Sequence, residues 1–210
     1  MSFIKSRFKV FLQVRRSFVL LGFFVLLSGL TPIAAKNATS DDKRRIGRVQ
    51  ATYLTHLINL TQWNKDHLPT PSQSPKIVIL GDKENGFTES LEFLLEQSGI
   101  GIGGNKIEIL HFRNGDKIKA NAALENKPQI VFFLSSSNYD PKKMRELSKH
   151  SLFVGNGRKF ITESKGDIAF NYSRNRVRLI ISKLALTRRS PKLNSQISRL
   201  RSVVEIIPSN

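Results

Sequence analysis

Between residues 42 and 63 the apolar residues Ile46, Val49, Tyr53, Leu57, Leu60 and Trp63 recur at spacings of three and four. That period places one apolar stripe on a helix of about five turns. The spacing therefore predicts a helix over residues 42–63, with Asp41 or Asp42 placed to cap it. Residues 68–75, Leu-Pro-Thr-Pro-Ser-Gln-Ser-Pro, form a connector whose prolines cannot continue a helix.

Beyond the connector, short apolar runs alternate with helical patterns. Residues 76–80 are a β-branched run closed by Gly81-Asp82, and Phe87, Leu91, Leu94 and Leu95 form a helical face that stops before Gly99. Residues 106–112 read as a second strand, 117–124 as a short helix, and 129–134 as a third strand. The third is apolar without interruption, which suits a strand covered on both faces. Asp140-Pro141 supplies a cap and a first-turn proline for a helix over 142–149, followed by a fourth strand at 151–154.

The last third changes character. Residues 167–172, the turn 173–175 and residues 176–181 read as a β-hairpin, in which Arg176 and Arg178 alternate with Val177 and Leu179 and leave one face charged. Leu184 and Leu186 start a short helix that Pro191 interrupts, and Leu193, Ile197, Leu200 and Val204 predict a closing helix. The expectation is a layered α/β single domain with a mixed, mostly parallel sheet, helices on both faces, and a C-terminal β-hairpin plus helix. No internal repeat is visible.

The N-terminal stretch follows neither pattern. Five basic residues (Lys5, Arg7, Lys9, Arg15, Arg16) and no acidic one precede the apolar residues 18–27. This is the layout of an export signal, and the run of about ten apolar residues is half of what a stable bilayer-spanning helix needs. The boundaries expected are a signal over residues 1–35 cleaved after Ala35, a flexible leader over 36–43 and a domain over 44–207; an uncleaved anchor is the alternative. Sec-type export is the leading reading. Arg15-Arg16 followed by Phe18 also fits a twin-arginine signal, although Val14 stands where Ser or Thr is usual.

The export reading changes what the charge means. The formal charge is +18, and +13 remains without the five basic residues of the signal. Such an excess attracts anionic lipid, acidic proteins or nucleic acid, and export removes nucleic acid from that set. The absence of cysteine excludes a disulfide, a lipid-modified cysteine and thiol catalysis.

Candidate chemistry is sparse. Gly99-Ile-Gly-Ile-Gly-Gly104 satisfies G-x-G-x-x-G, yet it follows a helix and precedes a strand, so no helix N-terminus is offered to a phosphate. The four histidines, His56, His67, His111 and His150, have no metal-ligand spacing, and His56 reads as a surface or half-buried structural residue. No G-x-S-x-G elbow and no distinctive carboxylate pair is present, so no catalytic residue, metal or cofactor is assigned. Ser135, Ser136, Ser137 and Asn138 follow the third strand, where open α/β sheets hold ligands; ordinary loop and cap roles fit them too. Trp63 fits the edge of a core or a partner contact. The basic set Arg174, Arg176, Arg178, Lys183, Arg188, Arg189, Lys192, Arg199 and Arg201 fits a solvated face or a docking surface for an acidic or lipid partner. The sequons at Asn37, Asn59 and Asn171 matter only in a host that glycosylates.

From Arg48 to Val204 the chain resembles the YfiR-like family of bacterial periplasmic proteins. The resemblance rests on residues 51–63 (Ala-Thr-Tyr-Leu-Thr-His-Leu-Ile-Asn-Leu-Thr-Gln-Trp), on Ile77-Val-Ile-Leu-Gly-Asp82 with Gly86-Phe87, on Gly104-Asn-Lys-Ile-Glu108, and on Ile130-Val-Phe-Phe-Leu-Ser-Ser136. Gly166-Asp-Ile-Ala-Phe170, Val177-Arg-Leu-Ile-Ile181, Leu193, Ser195 and Arg199-Leu200 continue it. The chain departs where Asn64 replaces a proline, Lys165-Gly166-Asp167 replaces a Gly-Gly-Met type turn, and Ser182 replaces an Asn. It also lacks the cysteines of some members.

The resemblance implies a non-enzymatic periplasmic regulator that binds the sensor part of an inner-membrane diguanylate cyclase, lowering cyclic di-GMP and biofilm formation. Trp63, Arg174, Arg176 and Arg178 are the candidate partner surface. The cyclase or another envelope sensor is the expected partner, with room for an outer-membrane lipoprotein, peripheral membrane contact and a homodimer. The alternative is a periplasmic small-molecule binding module that uses Ser135 to Asn138. An exported enzyme lacks a coherent set of reacting groups.

Overall fold

The computed structural model describes residues 35–208 apart from 71, 84, 174, 175 and 201, with residues 35–40 and 173 described by their backbone alone. The expected export signal lies outside the described residues except for Ala35. The first half contains α1 (Ala35–Asn59), β1 (Thr61–Gln62), β2 (Lys76–Leu80), α2 (Phe87–Ser98), β3 (Gly101–Ile102), β4 (Asn105–Lys106) and β5 (Glu108–Phe112). Then come α3 (Lys117–Glu125), β6 (Ile130–Phe133), α4 (Pro141–Leu147), β7 (Leu152–Asn156) and α5 (Arg158–Thr162). The chain closes with β8 (Ile168–Ser173), β9 (Arg176–Ser182), α6 (Lys183–Thr187), β10 (Lys192–Leu193), a 3-10 turn at Ser195–Arg199 and β11 (Val204–Ile207).

Seven strands form one sheet in the order β11-β9-β8-β7-β6-β2-β5. β5, β2, β6, β7 and β8 run parallel; β9 is antiparallel to β8, and β11 is parallel to β9. In chain order the parallel part reads second, first, third, fourth, fifth, a doubly wound α/β arrangement. The expected fold class is therefore found, and the uninterrupted apolar run at Ile130–Phe133 is buried throughout. Alternate residues of each strand enter two cores. Ile77, Ile79, Ile130, Phe132, Val154 and Ile168 pack under α1 and α2, whereas Val78, Leu80, Val131, Phe133, Phe153 and Ala169 pack with α3, α4 and α5.

The elements differ from the sequence pattern at both ends. α1 begins at Ala35, so Asp41 and Asp42 lie within it rather than capping it. Its buried face is Gly47, Gln50, Ala51, Leu54, Thr55, Leu57 and Ile58, because a small glycine, an amide and a hydroxyl turn inward beside the apolar residues; His56 is exposed. The helix stops at Asn59, since the Leu60 carbonyl accepts from Asn194 N at 2.8 Å and Thr61 pairs with Leu193. Trp63 therefore follows β1 and is not helical. The expected closing helix is replaced by β10, the 3-10 turn and β11. Asn194 Oδ1 caps Gln196 N at 2.9 Å, and β11 gains a ladder with β9 that outweighs its helical spacing.

α5 has no counterpart in the expected pattern. It carries Phe160, whose ring occupies the space that side chains at Gly155 and Gly166 would take: a Cβ at Gly155 would lie 2.6 Å from Phe160 Cε2, and one at Gly166 would lie closer still to Phe160 Cδ1. The Gly99–Gly104 segment caps α2 with Gly99 at φ 62 and turns β3 into β4, as its position after a helix implies.

Candidate functional site

In a doubly wound sheet, ligands bind beyond the carboxyl ends of the strands where the strand order reverses. Here that point lies between β2 and β6, and the loops after them fill it. Asn114 Nδ2 donates to Asp82 Oδ2 at 2.7 Å and to Ser136 O at 2.8 Å, while Asn114 Oδ1 accepts from Asn138 N at 2.9 Å. Ser136 Oγ donates to Asp82 O at 2.8 Å. Gly81, at φ +123, brings the β2 loop so close that a Cβ there would lie 3.0 Å from Ser137 N. Tyr139 Oη closes the far side by donating to Arg113 O at 2.5 Å, and burial, then Asp116 and Asp82, raise its pKa. An anionic ligand would meet the Asp82 carboxylate here. Ser136 and Asn138 are thus bonded into the closure, Ser137 Oγ accepts from Tyr139 N at 3.4 Å, and Ser135 lines a cavity.

That cavity, of about 260 Å³, lies between α1 and the ends of β7, β8 and β9. It is lined by Ile46, Gln50, Asn85, Ser135, Asn156 and Tyr172, with Gly157, Phe170, Asn171 and Val177 behind them. Asn85 Nδ2 donates to Gln50 Oε1 (3.3 Å), Gln50 Nε2 to Asn156 Oδ1 (2.8 Å), and Asn156 Nδ2 to Phe133 O (2.9 Å). Positions 50, 85 and 156 carry no motif by which the sequence could have linked them.

The opposite end of the sheet holds a buried charge cluster. Asp167, 2% exposed, receives Arg145 Nη2 on Oδ2 and Arg188 Nη1 on Oδ1, each at 2.8 Å, and Phe153 N also donates to Oδ2 at 2.8 Å. Arg145 lies 3.7 Å above the Phe153 ring centroid. Burial lowers the Arg145 pKa, and Asp167 works against that shift. Asp167 lies in the Lys165-Gly166-Asp167 turn that leads into β8. Nearby, His67 stacks on His150 with ring centroids 3.8 Å apart.

Trp63 and the arginines expected to share a surface lie at different ends of the sheet. Trp63 packs against the core beside β10, with Asn64 N donating to Ser190 Oγ at 3.0 Å. Arg176 and Arg178 are exposed at the start of β9, on the face opposite Val177 and Leu179, and Arg178 Nη2 donates to Ser202 O at 3.2 Å. Arg174 lies outside the described residues. Nine basic residues and no acidic one fall between residues 168 and 204, so an acidic partner meets little repulsion at this hairpin. Among the described residues no group of three His, Asp or Glu could hold a metal, and no helix is long and apolar enough to cross a membrane.

A family model described as YfiR/HmsC-like matches residues 47–201. No curated protein matches the chain.

Proposed function

The chain belongs to the YfiR/HmsC-like family, and from that premise we propose that it is exported to the periplasm. There it binds and restrains the periplasmic sensor part of an inner-membrane diguanylate cyclase, lowering cyclic di-GMP and biofilm formation. The family match over residues 47–201 carries this reading. Two features support it: the carboxyl edge of the sheet between β2 and β6 is filled by its own loops, and the start of β9 presents exposed arginines in a segment without acidic residues. The domain acts as a binding surface with no chemistry of its own. Its binding shifts the receptor by preferring the inactive arrangement over the active one.

The export signal takes the Sec route in this reading and is removed after Ala35, and an outer-membrane lipoprotein or a second copy of the chain competes for the same surface. The test is capture of detergent-solubilised inner-membrane proteins on the purified domain at low and raised salt, paired with measurement of cellular cyclic di-GMP on expression. Retention of a GGDEF-containing membrane protein and a fall in cyclic di-GMP are expected. Retention of none at either ionic strength overturns the proposal.

A further inference from the structure

We propose that the cavity between α1 and the ends of β7–β9 is a binding site for a small organic carboxylate, held by side-chain amides whose orientation the fold dictates. The proposal stands independently of the cyclase reading.

The orientation follows from the two ends of the amide relay. Phe133 O can only accept, so Asn156 must direct Nδ2 to it and turn Oδ1 to Gln50 Nε2. At the other end Phe87 N can only donate, at 3.2 Å, so Asn85 must offer it Oδ1 and give Nδ2 to Gln50 Oε1. Both ends enforce the same polarity along the whole chain of bonds. Each –NH₂ group spends one proton on its neighbour and keeps a second. Asn85, Gln50 and Asn156, which line the cavity, thus keep three N–H groups that the relay does not use, and Gln50 is only 5% exposed.

Such donors select ligands that bring an acceptor, most of all at the buried Gln50. A carboxylate brings two acceptor oxygens and no donor, and the charge of +13 that remains without the five basic residues of the signal raises its local concentration. The apolar share of the wall, Ile46, Phe170 and Val177, suits a short hydrocarbon body. At roughly 30 Å³ for each water-sized group, the volume holds about nine non-hydrogen atoms.

The probe pair that tests this is cyclohexanecarboxylate and cyclohexylmethylamine, similar bodies with acceptor and donor heads. Titrations of the 15N-labelled domain would follow the side-chain amide resonances of Gln50, Asn85 and Asn156. Saturable shifts of all three with the carboxylate and none with the amine are expected, at millimolar affinity or better for a ligand this small. Gln50→Leu should abolish binding but also breaks the relay. Val177→Phe is therefore the second variant, since it fills the cavity and leaves every relay bond in place; at least a tenfold loss of affinity with an unchanged backbone spectrum is expected. The proposal is overturned by absent shifts at saturating carboxylate, by equal binding of the amine, or by undiminished binding in folded Val177→Phe.

Discussion

Arg188 Nη1 lies 2.8 Å from Asp167 Oδ1, joining the segment after α6 to the first turn into β8. With Arg145 on the other carboxylate oxygen, one buried anion answers two largely buried cations. Removing the anion leaves both cations without it in a medium that solvates charge poorly. Asp167→Ala should therefore destabilise the domain by about 3–5 kcal/mol, read from urea denaturation. Arg145→Met, Arg188→Met and Asp167→Leu together should recover most of that loss. Failure of the triple variant to improve on Asp167→Ala would show that shape, not charge, sets the cost.

Gly47 faces the backbone of Asn85, and a methyl group there would fall well inside contact distance of the Asn85 carbonyl. Alanine is the better helix former by about 1 kcal/mol, yet the overlap should prevail. Gly47→Ala is expected to cost about 1–3 kcal/mol net and to shift the side-chain amide signals of Gln50 and Asn85. A stabilised variant with unmoved signals would contradict the close approach.

His150 stacks on His67 and faces Lys127, Lys149 and Arg188. Slight desolvation, then His67 and these positive neighbours, lower its pKa, so the folded state binds a proton less readily than the unfolded chain. The contribution is intact above the unfolded value of about 6.5 and is lost as pH falls through the lower folded value. Melting temperatures at about pH 7.5 and pH 5.5 should differ less in His150→Gln than in the parent. Because His150 is exposed, the difference should be small and shrink further in salt.

Arg176 and Arg178 are exposed on β9. Reversing both to Glu should change stability by no more than about 0.5 kcal/mol for each site while weakening retention of the proposed cyclase partner, most visibly at low salt. Unaltered retention at low salt would remove this hairpin from the partner surface.

β2 and α2 were legible in the sequence because local signals agree there: a β-branched run before Gly81, and a helical face stopped by Gly99 in the left-handed region. The C-terminus was not. Leu193, Ile197, Leu200 and Val204 have helical spacing, but β11 pairs with a strand more than twenty residues away, which periodicity does not sense. The same limit applies to the sites. The position of Ser135 to Asn138 after β6 was readable, whereas their bonds to Asp82 and Asn114 depend on three separate loops converging. Gln50, Asn85 and Asn156 look like unremarkable polar residues until α1 and β7 place them in line.

Phe160 fills the space over Gly155 and Gly166. Three positions in three successive parts of the chain are consequently constrained as one. A larger residue at 155 or 166 is admissible only in a lineage whose residue 160 has already shrunk, and a shrunken 160 leaves a void that favours regaining bulk at its neighbours. Among relatives these positions should vary together or stay fixed together, a correlation that volume alone imposes and that would persist whatever partner the domain serves.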